Sequence, residues 1–178
     1  MTKHNFILDM DGILVDFVTG MIRSHELSIH HDEWNSWHYH KTLGLTLDEF
    51  YAPATVDGWW ENLPLYDWAH DLYQSVKSVA ADIIIATTPH SDDKCPSEKV
   101  RALRKHGFLD DKSVRYQIGS PKCLMAKSGY ILIDDSQDNY DNFTSKGGRA
   151  ILFPQPWNNN AHLIGDRMRY FTEQLRSL

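Results

Sequence analysis

Cysteine is scarce in this chain, and the two present, Cys95 and Cys123, can form neither a disulfide framework nor a metal-ligand spacing. That points to a reducing, intracellular setting. There is no basic run long enough to track a phosphate backbone, and the net charge is −6, which argues against a nucleic-acid polymer as partner. No apolar run approaches the length of a membrane span, so no membrane partner is expected. The start carries neither a basic nor an apolar leader region, which makes the cytoplasm the expected location. Internal repeats and low-complexity segments are lacking as well. What remains is ordinary for a soluble fold: 42% hydrophobic and 24% charged residues in 178, enough for one domain with an insertion. A homodimer stays open.

The most informative stretch is residues 5–16, Asn-Phe-Ile-Leu-Asp-Met-Asp-Gly-Ile-Leu-Val-Asp. Phe6 to Leu8 read as a buried strand of a parallel sheet. Gly12 then permits a sharp turn, because it has no Cβ to clash. Asp9 and Asp11 therefore fall at the C-terminal end of a strand, where open α/β sheets bind ligands. Two carboxylates so close repel unless they share a cation or a proton. A plain acidic turn would need one Asp, not two around a Met with Asp16 soon after.

Along the chain, Phe17 to Leu27 carries apolar residues at helical spacing. Residues 28–64 hold four histidines, four of the six tryptophans and two prolines, with one short helix predicted at Leu47–Tyr51 under a Thr46 N-cap. We read 17–66 as a small helical cap and 1–16 with 67–178 as the core. From Tyr66 the periodicity resumes, with Leu72, Val76 and Val79 on a helix and Ile83–Ala86 as a strand. Pro96 starts a helix whose Val100 and Leu103 should face the core, and Gly107 closes it. Val114–Ile118, Tyr130–Ile133 and Ala150–Phe153 are further strands. Ile164, Met168, Phe171 and Leu175 mark a terminal amphipathic helix. Alternation of this kind predicts a three-layer, Rossmann-like α/β fold with a parallel sheet and the cap inserted after the first strand.

Asp134 and Asp135 repeat the first pattern, an apolar strand ending in carboxylates. If the two strands are neighbours, the acids converge, and a few carboxylates plus water suit Mg²⁺. Thr87 and Thr88, at another strand end, could hold phosphate oxygens, although threonine is common in strands. If such a site holds a phosphate group, a nearby cation would be needed as well, for which Lys94, Lys99 and Lys122 are candidates. The clustered aromatics suit either a cap core or stacking on a nucleobase.

Asp9-Met-Asp-Gly-Ile-Leu-Val-Asp16 resembles the first motif of the haloacid dehalogenase (HAD) superfamily of phosphohydrolases. The resemblance implies Asp9 as nucleophile and Asp11 as general acid/base. It also implies Thr87 as second motif, and an acidic pair completing a magnesium site with Asp9 and the Asp11 carbonyl, Asp135 directly and Asp134 in support. Thr87-Thr88-Pro89 and Cys95-Pro-Ser-Glu-Lys99 are similar to segments of the 5'(3')-deoxyribonucleotidases, which narrows the basic element to Lys99. Lys122 is the nearest counterpart of that family's second lysine, although the arginine that family has before it is missing. Gly58-Trp59-Trp60 and Phe17 are similar to its substrate-facing aromatics. The implied activity is Mg²⁺-dependent hydrolysis of deoxyribonucleoside monophosphates through an aspartyl-phosphate. The rivals are a HAD phosphatase of another small metabolite, such as a sugar phosphate, and a non-catalytic nucleotide-binding protein of the same fold.

Overall fold

The computed structural model describes residues 3–110, 114–119 and 121–178. The chain begins with strand β1 (His4–Asp9) and helix α1 (Phe17–Ser24). Two short helices, α2 (Tyr39–Thr42) and α3 (Leu47–Tyr51), follow within the insertion, flanked by 3-10 turns at His31–Glu33 and Ala52–Thr55. Then come α4 (Ala69–Val79), β2 (Ala80–Thr87), α5 (Cys95–Lys105) and β3 (Val114–Ile118). After a 3-10 turn at Lys122–Met125 come β4 (Tyr130–Asp134), α6 (Gln137–Ser145) and β5 (Arg149–Leu152). A 3-10 stretch, Ala161–Asp166, leads into the last helix, α7 (Arg167–Arg176).

All strand pairings are parallel, in the order β3-β2-β1-β4-β5. The chain builds outward from β1 through β2 to β3, then returns to lay β4 on the other side of β1. The direction of winding thus reverses between β1 and β4, and such a reversal opens a crevice at the C-terminal strand ends. Leu8 is level with Ile133, so the acids that follow each strand emerge side by side.

Both central strands are buried on both faces, which explains their unbroken apolar sequences. Phe6, Leu8, Ile131 and Ile133 point into the larger hydrophobic cluster, whereas Ile7 and Leu132 join Phe143 of α6 in a smaller one. The larger cluster does not stop at the sheet. It runs on through Trp34, Phe50, Trp60 and Leu63 of the insertion. The insertion leaves and re-enters through one clasp: Val15 pairs antiparallel with Leu65, the Asp16 amide donates to Pro64 O, and the Tyr66 amide donates to Leu14 O.

Several expectations change. Helix α5 buries Cys95, Glu98, Lys99, Ala102 and Leu103, whereas Val100 is only half-buried, because the inward face carries charged side chains that have partners. Ile164 lies in the 3-10 stretch ahead of α7. Helix α6, which buries only Phe143, has no apolar stripe to announce it; Ser136 caps its start by accepting from the Asn139 amide. Asp16 is the N-cap of α1, accepting from the Thr19 amide at 2.8 Å. Thr46 caps α3 as expected, with Glu49 completing a capping box.

Candidate active site

The C-terminal ends of β1, β2 and β4 bring together Asp9, Asp11, Thr87, Lys99, Lys122, Asp134 and Asp135. Asp9, Asp134 and Asp135 each offer a carboxylate oxygen within 4.8 Å of the others, and all three are buried. The Lys122 ammonium sits between two of them, 2.7 Å from Asp9 Oδ1 and 2.7 Å from Asp134 Oδ2. Lys99 pairs instead with Asp11 Oδ2 and donates to Thr87 Oγ1 at 2.9 Å, while Thr87 donates to the same Asp11 oxygen at 3.1 Å. The two lysines thus divide the work, one at each aspartate of the first motif.

The two acids after β4 differ in their partners. Asp134 is saturated: Oδ1 accepts from the Ser136 amide and from Asn139 Nδ2, and Oδ2 accepts from Lys122. Among the described residues the Asp135 carboxylate accepts one bond, from Trp157 Nε1 to Oδ2 at 2.7 Å. Its remaining oxygen is the one available to a ligand. Gly12 makes room for this acid. Its φ is +78°, and a Cβ there would collide with the Asp135 carboxylate. A glycine is therefore required twice over, by conformation and by space.

A cation fits this donor set. With all four carboxylates ionised, the site would carry two negative charges more than its two ammonium groups offset. Burial, with the Asp134 charge next and Lys122 working against them, pushes Asp9 up to about 7. Burial and the Asp9 charge hold Asp135 well above the usual carboxylate range. Burial works to lower the Lys122 pKa, but Asp134 and Asp9 outweigh it and keep the ammonium charged. Asp11 Oδ1 is buried with no hydrogen-bond partner among the described residues. Hard oxygen donors that are crowded and under-neutralised are what a divalent ion such as Mg²⁺ satisfies.

Beside the acids lies a cavity of about 300 Å³ lined by Asp11, Lys99, Thr88, Phe17, Trp60 and further rings. Phe17 and Trp60 stack with centroids 5.8 Å apart and planes 17° apart, and Lys99 Nζ lies 4.7 Å from the centre of the Trp60 ring. Sequence reasoning missed Trp37, Tyr51 and His90, which complete the aromatic wall. Trp59, grouped with Trp60 by sequence, lies outside this wall. Its indole covers Gly20 of α1 and donates to Ser24 Oγ at 2.9 Å, because adjacent residues of a tight turn point in different directions. Trp34 is also core, stacked on Tyr39 at 4.1 Å.

The loop after β5 was the other omission. Gln155 Nε2 donates to Gly12 O at 2.5 Å, Asn158 Nδ2 to Asp135 O at 2.8 Å, and Trp157 to the Asp135 side chain. The available signal was a tryptophan isolated from the other five, in a Pro-Gln-Pro-Trp-Asn run just beyond a strand end. Cys95 needs no chemical role: burial pushes its thiol up to about 11, so it is not a thiolate at neutral pH.

The sequence matches no protein-family model and no curated protein. Solved structures do match. A predicted phosphatase from Clostridium acetobutylicum covers 100% of this chain, and is itself fully covered, at 10% identity and a TM-score of 0.62. The haloacid dehalogenase-like hydrolase SP0104 from Streptococcus pneumoniae is 17% identical, with a TM-score of 0.58 over 94% of this chain and 90% of that one. YfnB from Bacillus subtilis, named as a HAD-hydrolase and bound to magnesium, is 15% identical, with a TM-score of 0.51 over 86% of this chain and 87% of that one. At such identities it is the fold that is shared: this chain has the architecture of the HAD hydrolases.

Proposed function

We propose that the chain is a phosphomonoesterase and that its substrates are nucleoside monophosphates, with the deoxyribonucleotides preferred. The observation that carries the reading is the convergence of Asp9, Lys122, Asp134 and Asp135 at one buried point, next to an aromatic cavity that Asp11 and Lys99 line.

Asp9 attacks phosphorus in line, the bond to the ester oxygen breaks, and an aspartyl-phosphate forms. Lys122 fixes Asp9 Oδ1, as does the Met10 amide at 2.7 Å, which leaves Oδ2 as the attacking oxygen. Lys99 and Thr87 hold Asp11 Oδ2, which leaves Oδ1 to give a proton to the departing alkoxide. The same oxygen then takes a proton from the water that cleaves the intermediate. Mg²⁺ held by Asp9, the Asp11 carbonyl and Asp135 would supply charge stabilisation for the phosphoryl oxygens. Trp60, Phe17 and Trp37 offer faces on which a base can stack, and the cavity volume is at the lower end for small-molecule sites, about 300–1,000 Å³.

Phosphate release is the test, run with Mg²⁺ on ribo- and deoxyribonucleoside monophosphates and sugar phosphates, with Asp9→Asn as blank. Turnover of nucleotides that Asp9→Asn abolishes supports the reading. Turnover of sugar phosphates alone would keep the chemistry and replace the substrate. Absence of turnover on every ester would remove the enzyme assignment.

A further inference from the structure

Helix α5 faces the insertion along one stripe. Lys94, Glu98, Arg101 and Lys105 recur at intervals of four, three and four, which places them on one side of a helix. Each reaches the segment 57–62. Lys94 pairs with Asp57 at 2.5 Å, Arg101 with Glu61 at 2.5 Å, and Lys105 donates to Asn62 Oδ1 at 2.9 Å. These three contacts are solvated and of the kind that contributes little. Glu98 differs. Its side chain is 3% exposed, and its two oxygens each accept a backbone amide, Gly58 N at 2.8 Å and Trp60 N at 3.1 Å. Gly58 has φ +79°, which lets amides two residues apart turn toward one anion.

We infer that Glu98 is a positioning residue: its buried carboxylate locks the Gly58–Trp60 turn of the insertion onto the helix that presents Lys99, and so fixes Trp60 as a wall of the substrate cavity. Glu98 and Lys99 are consecutive, so one helical turn holds both the cation at Asp11 and the ring beside it. Without the carboxylate, the buried Trp60 amide and the partly buried Gly58 amide lose their acceptor, and release of the turn moves Trp60 with it. The inference rests on the reading that this cavity receives the substrate.

The experiment compares wild type, Glu98→Ala, Glu98→Gln and the surface control Lys105→Ala in two measurements. The first is hydrogen exchange of the Gly58 and Trp60 amides against those of β1 and β4. The second is KM and kcat for a deoxynucleoside monophosphate and for phenyl phosphate. Glu98→Ala should speed exchange at 58 and 60 by about tenfold or more with the sheet amides unchanged. It should raise the nucleotide KM about tenfold while the phenyl phosphate constants move less than about threefold. Glu98→Gln keeps one acceptor oxygen and should fall between, which also covers the case that the alanine variant does not fold. Lys105→Ala should match wild type. Unchanged exchange at 58 and 60, or equal KM rises for both esters, would overturn the inference. If wild type hydrolyses neither ester, the activity reading fails by itself. Exchange and the calorimetric Kd for the nucleotide then decide on Glu98.

Discussion

At the scale of single residues, the site is shaped by where negative charge is left uncompensated. Asp9, pushed from 3.8 to about 7, keeps its proton in the native metal-free protein over a range where the unfolded chain has lost it. The native state then binds more protons, so its stability falls as pH rises through that window. Asp9→Asn removes this dependence. Without metal, the variant should exceed wild type in stability by roughly 1–3 kcal/mol at pH 8, with the gap closing toward pH 4. Urea unfolding in EDTA across that range checks it, and a gap that widens at low pH would contradict the assignment. Trp157 poses a second question, since its indole donor aims Asp135. Trp157→Phe keeps the ring and removes the donor, and should weaken Mg²⁺ binding about tenfold by calorimetry. Unaltered affinity would mean that Asp135 is held well enough through its carbonyl, by Asn158.

At the scale of elements, what the sequence made legible was whatever repeats or runs. The strands β1 and β4 are unbroken apolar runs, and both ended in acids that the structure does bring together. Thr46 and Gly107 marked their helix ends through local chemistry that needs no partner. Helix α6 was invisible because its nine largely polar residues bury Phe143 alone. The buried face of α5 misled for the opposite reason: Glu98 and Lys99 look like surface residues until their acceptors and donors, from distant segments, are in place. The pair Trp59-Trp60 could not be divided from sequence, because which ring faces the cavity depends on the turn that carries both. That division is testable. Trp60→Leu should cost about 1–3 kcal/mol in nucleotide binding. Trp59→Leu should lower thermal stability with KM nearly unchanged. Equal KM effects would return Trp59 to the wall.

At the scale of the whole molecule, the insertion and the sheet share one hydrophobic cluster, from Phe6 and Ile133 to Trp34 and Phe50. They should therefore unfold together, as a single calorimetric transition whose calorimetric and van't Hoff enthalpies agree. Two resolved transitions would show that the insertion has a stability of its own. The clasp at Val15 and Leu65 has a different consequence. Because the chain departs and returns through paired neighbours, the distance between its two ends does not depend on how many residues lie between them. A longer or shorter excursion can leave and return by that port without moving either β1 or α4, provided that it again covers the apolar surface now under Trp34, Phe50, Trp60 and Leu63. The acids at the strand ends would then keep their chemistry while the segment that reads the substrate is exchanged, much as a tool bit is changed in a fixed chuck.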